Sequence, residues 1–264
     1  MPKQPNSQKV FAKRSFGQNF LVDENVIKKI VDALNLVEGE TVIEIGAGRG
    51  ALTKELIEKA HQVIAIEFDR DLIPELRMHF GVNKNFKLVD ADALEVTFAD
   101  LTKTNKKIKL AANLPYNIST AILQRLMEQR ETFSQLVLMF QREVVERISA
   151  PIGRSERGFL TVLTELYFNV ERLFDVPPNA FRPAPKIWSS VVKLTPKKVN
   201  IENQEDFRDL VSAAFTHKRK TISNNLKTHY KDHNAALIKS GIAEIRRAET
   251  LTLQEWIDLY GSIF

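Results

Sequence analysis

The segment that decides the fold is TVIEIGAGRG, residues 41–50. A short run rich in β-branched residues ends in three glycines spaced as GxGxG, and the segment after it places Leu52, Leu56 and Ile57 on one helical face. This order predicts a strand, a tight turn and a helix, because glycine adopts backbone conformations that other residues avoid. Such a turn lets a ligand approach the backbone without interference from a Cβ atom.

The same alternation of strand and helix patterns extends over the first 150 residues. An amphipathic helix is predicted to begin at the capping residue Asp23. Further strand patterns are QVIAIEFD, FKLVDAD, IKLAANLPY and QLVLMF, and the helix patterns between and after them are LIPELRMHF, STAILQRLMEQ and REVVERIS. Alternating strands and helices predict βαβ units, so we expect an α/β fold with a doubly wound, mostly parallel sheet covered on both faces.

The pattern changes after Pro151. The segment from Phe159 to Pro196 predicts two strand-like halves that form a late antiparallel pair, with no helical pattern between them. Beyond Pro196 the apolar residues follow helical spacing throughout, beginning with Phe207, Leu210 and Val211. We therefore predict two domains, residues 1–196 and 197–264, the second of them small and all-helical.

Composition narrows the class of protein. The chain has 264 residues, of which 44% are hydrophobic and 27% charged, values typical of globular proteins. It has no apolar run of the roughly 20 residues that a membrane-spanning helix needs, and its basic N-terminus does not resemble a secretory signal. It also has no cysteine, which excludes disulfides and a thiolate nucleophile. We expect a cytoplasmic protein.

Positive charge is concentrated in two stretches. Lys+Arg number 38 against 33 for Asp+Glu, a formal net charge of +5. One stretch is an N-terminal arm that carries Lys3, Lys9, Lys13 and Arg14 before the first acid, Asp23. The other, residues 217–231, has no acid and includes Lys218, Arg219 and Lys220. Either stretch can contact phosphate, although a solvated charged face is the alternative.

Two carboxylates follow the next two strands. Glu67 ends IAIE, 19 residues beyond Gly48, and Asp92 follows the next strand. In nucleotide-binding sheets an acid at about this distance accepts hydrogen bonds from ribose hydroxyls, and Asp92 suits an adenine amino group. Because the spacing is GxGxG rather than GxGxxG, a pyrophosphate is disfavoured. The expected ligand has an adenosine without phosphates, which indicates S-adenosylmethionine. The alternative for Glu67 and Asp92 is that each is a solvated residue at a strand end without a ligand.

The segment Asn113-Leu114-Pro115-Tyr116 ends the fourth strand pattern and suits an adenine base. The Asn113 side-chain oxygen and the Leu114 carbonyl can accept the two protons of an adenine amino group. Pro115 holds Leu114 extended, and Tyr116 offers a ring for stacking. A second aromatic, Phe181, lies on a proline-rich loop and could hold the other face of a flipped base, although packing in the core is equally consistent.

The five histidines are scattered, so we expect no metal site.

These motifs resemble a known family, the small-subunit (16S) rRNA adenine N6-dimethyltransferases of the KsgA/RsmA (Dim1) type. The resemblance covers nearly the whole chain and is carried by FGQNFL, EIGAGRGALT, IEFDRDL, NLPYNIST, FQREVVERI, VPPNAFRPAPKIWSSVV and FTHKRKTISNNL. It implies a Rossmann-like class I S-adenosylmethionine-dependent methyltransferase sheet. By resemblance, the cofactor contacts Asn19, Leu21, Gly46, Gly48, Glu67, Asp92 and Asn113, whereas Asn113, Leu114, Tyr116 and Phe181 handle the target adenine.

The family's substrate follows only from the resemblance. It implies four methyl transfers to two adjacent adenosines in a hairpin loop near the 3′ end of 16S rRNA, in an immature small ribosomal subunit. We expect a monomer by default, with neither DNA nor a membrane as a partner. The sequence departs from the family pattern at two places. His217-Lys218 in HKRKT is the first and could alter the contact with RNA. The second is Trp188, which lies where the family often has Val-Asp-Ser and is expected to pack.

Three alternatives to this function remain open. The related enzymes that dimethylate an adenine of 23S rRNA and confer macrolide resistance share the glycine turn, but FRPAPKIWSSVV and RKTISNNL favour the small-subunit group. A DNA adenine methyltransferase would more usually have proline in place of Leu114. A ribosome-assembly factor that binds RNA without catalysis is the third.

Overall fold

The computed structural model describes residues 18–102 and 106–264, so the predicted basic N-terminal arm lies outside the described residues. The described chain forms two compact units. The first contains the residues up to 142 together with 173–194, and the second contains 143–172 together with 195–264. The functional division of the chain at residue 196 stays a prediction.

The described residues contain nine strands. They are β1 (Phe20–Leu21), β2 (Thr41–Ile45), β3 (Gln62–Glu67), β4 (Phe86–Asp90), β5 (Ile108–Asn113), β6 (Phe133–Gln141), β7 (Phe168–Val176), β8 (Phe181–Arg182) and β9 (Ser189–Pro196). Seven of them form one sheet in the order β4-β3-β2-β5-β6-β9-β7, and β1 pairs with β8 in a separate two-stranded sheet.

The large sheet is mostly parallel, as the sequence predicts. The pairs β2–β3, β2–β5, β3–β4 and β5–β6 are parallel, and β9 adds to β6 in the antiparallel direction. Every residue of β2 is buried, as expected for a central strand covered on both faces. The predicted Rossmann-like fold class is confirmed.

The described helices of the first unit are α1 (Glu24–Asp32), α2 (Ala51–Lys59), α3 (Ile73–Phe80) and α4 (Ser119–Glu128). Helices α2, α3 and α4 each follow a strand of the parallel sheet, whereas α1 lies between β1 and β2. The side chain of Asp23 caps α1 by accepting hydrogen bonds from the N–H groups of Asn25 and Val26 at 2.9 and 3.2 Å. Apolar residues of α1 and α2, among them Ile30 and Leu56, pack in a core cluster with β2, β3, β5 and β6.

The second unit is mainly helical. They are α5 (Arg142–Ile148), α6 (Phe159–Tyr167), α7 (Gln204–Ala214), α8 (Ile222–Leu226), α9 (His233–Lys239) and α10 (Leu253–Ile263), and the regular elements between residues 197 and 264 are all helical. Within this unit the ring of Trp256 is fully buried. Arg246 forms an ion pair with Glu255. Glu255 also forms the capping box of α10 together with Thr252.

One element was predicted wrongly from the sequence. The first strand-like half, from Phe159, forms helix α6, and the late strands are β7 and β9. Seven of the nine residues of α6 are buried, so the segment has no polar face to reveal a helical period. A continuous apolar run cannot be told from a buried strand by its pattern alone.

Candidate active site

A cavity of about 390 Å³ lies at the carboxyl ends of the parallel strands of the first unit. This edge is where ligands bind in open α/β sheets, because the loops that follow the strands converge there. Nine of the predicted site residues line it: Asn19, Leu21, Gly46, Gly48, Glu67, Asp92, Asn113, Leu114 and Tyr116. The fold therefore brings together residues that are up to 97 positions apart in the sequence.

The three glycines of the turn have positive φ angles, as their spacing predicts, but they serve different contacts. The φ angles of Gly46, Gly48 and Gly50 are 71°, 60° and 80°. A Cβ atom on Gly48 would lie 3.3 Å from the ring of Phe20. A Cβ atom on Gly50 would lie only 2.2 Å from the ring of Phe80. Gly50 is therefore required for the packing of α3 against the turn rather than for space at the ligand.

Glu67, at the end of β3, is tied to this turn. Its Oε2 accepts the Gly48 N–H at 2.7 Å, and its Oε1 accepts the N–H groups of Phe68 and Asp69 at 3.0 and 2.9 Å. Burial raises the pKa of the carboxyl and outweighs these hydrogen bonds, which lower it. A carboxylate has about four acceptor positions. The three donors leave one on Oε2, so Glu67 holds the glycine turn and can still accept a hydrogen bond from a ligand.

Further polar residues line the cavity beyond β3 and β4. Asp92 Oδ1 accepts the Leu94 N–H at 2.9 Å. Asp69, which is buried, accepts a hydrogen bond from the Gln18 side-chain amide at 2.7 Å. The ring of Phe68 is 57% exposed and also lines the cavity. Gln18, Phe68 and Asp69 were not predicted from the sequence, although the position of Phe68 and Asp69 directly after a strand end is a signal that could have indicated them.

Asn113 ends β5 with its side chain oriented by the chain's N-terminal segment. Its amide nitrogen donates a hydrogen bond to the Asn19 carbonyl at 3.3 Å. No residue in the described ranges donates to its amide oxygen. The next residue, Leu114, is buried and donates its backbone N–H to the Met139 carbonyl on β6 at 3.3 Å. The Asn19 contact therefore directs the NH₂ group away from a ligand and leaves the oxygen as an acceptor.

Tyr116 is half-buried beside Asn113 and is held by its hydroxyl. The hydroxyl lies 2.8 Å from Ser189 Oγ at the start of β9. Burial raises the pKa of Tyr116, so the phenol stays neutral at physiological pH. The hydrogen bond fixes the direction of the ring while leaving part of its surface exposed.

Phe181 occupies a different environment from the other predicted site residues. Its ring is 1% exposed and packs in the core cluster that also contains Leu21, Ile27 and Val191. Its backbone pairs with Leu21 through the β1–β8 ladder, and it is not among the described residues that line the cavity. In this arrangement the ring presents no face to a ligand, so stacking of Phe181 on a base stays a prediction that requires the ring to move.

A third buried carboxyl, missed from the sequence, lines the cavity beside those of Glu67 and Asp69. Glu44 on β2 is 1% exposed and accepts a hydrogen bond from the Thr53 hydroxyl at 2.6 Å. Burial raises its pKa from 4.5 to about 7, and the neighbouring charge of Glu67 adds to the shift. The signal available in the sequence was an acid in an otherwise apolar strand, because a carboxyl seldom occupies such a position without a partner.

The predicted RNA-binding residues lie in the second unit. Lys218, Arg219 and Lys220 are all exposed on the loop between α7 and α8. The loop is shaped by the buried Asn225, whose side chain accepts the His217 N–H at 3.2 Å and donates to the Ala214 carbonyl at 2.7 Å. Three adjacent cations are thus displayed on a hydrogen-bonded turn.

Within residues 18–102 and 106–264, no three His, Cys, Asp or Glu side chains are grouped in a way that could hold a metal ion. No helix of these ranges has the length and apolar character needed to cross a membrane.

Comparison with known families decides the identity. The profile of the family described as "Ribosomal RNA adenine dimethylase" matches residues 10–263. The chain belongs to this family. The resemblance stated from the sequence motifs is therefore confirmed, as is the prediction of an S-adenosylmethionine-dependent rRNA adenine methyltransferase.

Relatives within the rRNA adenine dimethylase family are similar over most of the chain. The ribosomal RNA small subunit methyltransferase A of Clostridium botulinum (strain Langeland) is 41% identical over 257 residues, 95% of this chain and 94% of the relative. The protein of the same name from Magnetococcus marinus is 43% identical over 250 residues, 93% of this chain and 90% of the relative.

Solved structures of the same class have a similar fold. The dimethyladenosine transferase of Plasmodium falciparum has a TM-score of 0.78 at 26% identity, covering 91% of this chain and 95% of its own. The 23S rRNA methyltransferase ErmE has a TM-score of 0.72, also at 26% identity, covering 93% of this chain and 99% of its own.

Proposed function

We propose that this protein transfers methyl groups from S-adenosylmethionine to the N6 atoms of two adjacent adenosines in a 3′-terminal hairpin loop of 16S rRNA. Four transfers complete the reaction, on an immature small subunit late in its assembly, and the enzyme acts as a cytoplasmic monomer. The observation that supports this most is the convergence of the glycine turn, two strand-end acids and Asn113-Leu114-Pro115-Tyr116 on one cavity. The identity of 41% to a small subunit methyltransferase favours this rRNA over 23S rRNA.

The cofactor half of the cavity fits an adenosine without phosphates. The glycine turn leaves room at the backbone because Gly46 has no Cβ atom. A Cβ atom added to Gly46 would lie 3.9 Å from the Asn113 carbonyl oxygen. The remaining acceptor position of Glu67 binds a ribose hydroxyl, and the half-buried carboxylate of Asp92 accepts a hydrogen bond from the adenine amino group. Phe68 offers its exposed ring to the adenine face. When bound, S-adenosylmethionine supplies the electrophilic methyl group.

The other half of the cavity prepares the target base. The Asn113 amide oxygen accepts one proton of the target N6 amino group, and the Leu114 carbonyl accepts the other. Withdrawing both protons towards acceptors reduces the delocalisation of the nitrogen lone pair into the ring, so the nitrogen becomes a better nucleophile. Tyr116 stacks on the target base. The base must flip out of the stacked RNA bases to reach the site. These groups act by positioning and by hydrogen bonds that strengthen as positive charge develops on N6.

The exposed cations of the second unit bind the rRNA. Lys218, Arg219 and Lys220 lie together without an acid nearby in the sequence, and each can neutralise a phosphate. We propose that this unit holds the particle while the first unit carries out the transfer. Binding is then separable from catalysis.

The deciding experiment is transfer of labelled methyl groups to small subunits isolated from a strain that lacks the modification. Mass spectrometry of the digested rRNA should find dimethyladenosine at two adjacent positions. Transfer only to large-subunit rRNA would instead make the protein a 23S rRNA enzyme, in line with its structural similarity to ErmE. Transfer to neither, with the small subunit still bound, would favour a non-catalytic assembly factor.

A further inference from the structure

Trp188 lies on the surface of the first unit, contrary to the expectation that it packs. The side chains of Ile187 and Trp188 are 41% and 44% exposed. The other tryptophan of the chain, Trp256, is fully buried. Trp188 and Ile187 therefore expose a large apolar surface on one short segment, and such exposed surface often marks a binding site.

The backbone of this segment is anchored beside the predicted target-base site. Trp188 accepts a hydrogen bond from the Arg142 backbone N–H at 3.0 Å. The next residue, Ser189, is buried and holds the Tyr116 hydroxyl at 2.8 Å. Prolines at 183 and 185 restrict the preceding backbone. The backbone that carries the indole is therefore held one residue away from the group that orients Tyr116.

The charge around Trp188 matches a nucleic acid. Arg182 and Lys186 are exposed on the same segment, and no acid occurs between residues 176 and 201. The guanidinium of Arg182 donates hydrogen bonds to the carbonyls of Asn179 and Phe181 at 3.1 and 2.8 Å, which stiffens the side chain without neutralising its charge. A stacking ring flanked by cations is the arrangement that binds single-stranded nucleic acids.

We propose that Trp188 stacks on an unpaired nucleotide adjacent to the target adenosine, with Arg182 and Lys186 contacting its phosphates. The proposal rests on the proposed rRNA substrate and adds a residue that determines how the loop is held. A base flipped into a cavity leaves its neighbours without a stacking partner on one side. The indole replaces that partner and thereby favours the flipped state of the target.

The first test uses the fluorescence of the indole. Titrating the protein with a single-stranded RNA oligonucleotide that carries two adjacent adenosines should quench the emission of the exposed Trp188, because stacking on a base quenches indole fluorescence. The buried Trp256 provides a constant background, which the Trp188→Phe variant measures directly. Quenching of equal size in Trp188→Phe, or none in the wild type, would overturn the proposal.

The second test separates binding from chemistry in the methyl-transfer assay with small subunits. Trp188→Ala should raise KM for the subunit roughly 5- to 100-fold, the range seen on removing base-stacking aromatics, with kcat changed less than about twofold. Trp188→Phe keeps a ring and should recover most of the loss. Affinity for S-adenosylmethionine should not change. Val82→Ala, at a distant side chain that is 86% exposed, is the matched control and should behave as wild type.

The outcomes distinguish this inference from the proposed function. If the wild type methylates the small subunit and Trp188→Ala has the KM of the wild type, only the stacking assignment fails. If the wild type transfers no methyl group to the subunit, the proposed function fails, and the fluorescence titration still decides whether Trp188 binds RNA. A raised KM without fluorescence quenching by RNA would show that the segment contacts a ribosomal protein, which contradicts the proposal.

Discussion

The interior of the cavity and the exposed segment from Arg182 to Trp188 belong to the same compact unit but hold their functional side chains in opposite ways. In the interior, Glu67 accepts three backbone N–H groups. On the exposed segment the backbone is anchored, whereas the side chains of Arg182, Lys186 and Trp188 are exposed. We therefore expect substitutions in the interior to change both structure and chemistry, and those on the exposed segment to change substrate binding without changing the fold.

Phe181 and Trp188 offer the sharpest test of this difference, because they are two aromatic residues seven positions apart. Phe181→Ala should destabilise the protein by about 3–5 kcal/mol, since it empties a buried ring site, whereas Trp188→Ala should change stability by less than about 0.5 kcal/mol. Urea unfolding of both variants measures the contrast.

The Phe181→Leu variant keeps most of the buried volume and tests the predicted contact of Phe181 with the target base. If the ring moves out of the core to stack on adenine, methyl transfer should fall although the protein remains folded. Transfer at the wild-type rate would show that Phe181 serves only the core.

Asn113 should give the largest effect on chemistry with little effect on stability. Asn113→Ala removes the acceptor that we propose acts in the transition state, so we expect kcat to fall about 100- to 1,000-fold, as on removal of a comparable polar group. Binding of the small subunit should persist. A folded Asn113→Ala protein that no longer bound the particle would contradict the separation of binding from catalysis.

The orientation of Asn113 by the Asn19 carbonyl can be tested with a second variant. Asn113→Asp keeps the side-chain oxygen but replaces the NH₂ donor with a second oxygen, and its charge is repelled by the carbonyl at that position. We expect it to be as inactive as Asn113→Ala. Substantial activity would mean that an oxygen acceptor suffices without the contact to Asn19.

Glu44 gives the interior a dependence on pH. Its folded pKa of about 7 lies above the ordinary value of 4.5, so the folded state binds the proton more tightly. The stability that this contributes is complete below about pH 4.5 and is lost as pH rises through 7, by up to about 3 kcal/mol. Glu44→Gln should therefore flatten the decline of unfolding free energy between pH 5 and 8. An unchanged pH profile in urea unfolding would show that another group is responsible.

The smallest expected effect comes from the exposed cations of the second unit. Replacing Lys218, Arg219 and Lys220 by Ala should weaken binding of the small subunit and reduce the slope of log affinity against log salt by roughly two to three. Affinity for S-adenosylmethionine and thermal stability should not change. Equal binding by wild type and variant at several salt concentrations would contradict an RNA-binding role for this loop.

Much of the fold followed from local patterns. Buried parallel strands and amphipathic helices alternate clearly up to residue 150, and Asp23 caps its helix as predicted. The exception, α6, is nearly all buried, which removes the polar face that identifies a helix. The strand-end positions of Glu67, Asp92 and Asn113 also predicted a common site, because the carboxyl ends of parallel strands meet at one edge.

By itself, the sequence determined the fold class, the glycine turn and the residue types that suit a cofactor and an adenine base. Only the tertiary structure decided how each side chain is used. It showed that Gly50 makes room for Phe80, that Asn19 orients Asn113, and that Phe181 is buried whereas Trp188 is exposed. The reason is physical: a local pattern reports the period of an element, whereas burial and hydrogen-bond partners depend on residues that are distant in sequence and meet only in the folded chain.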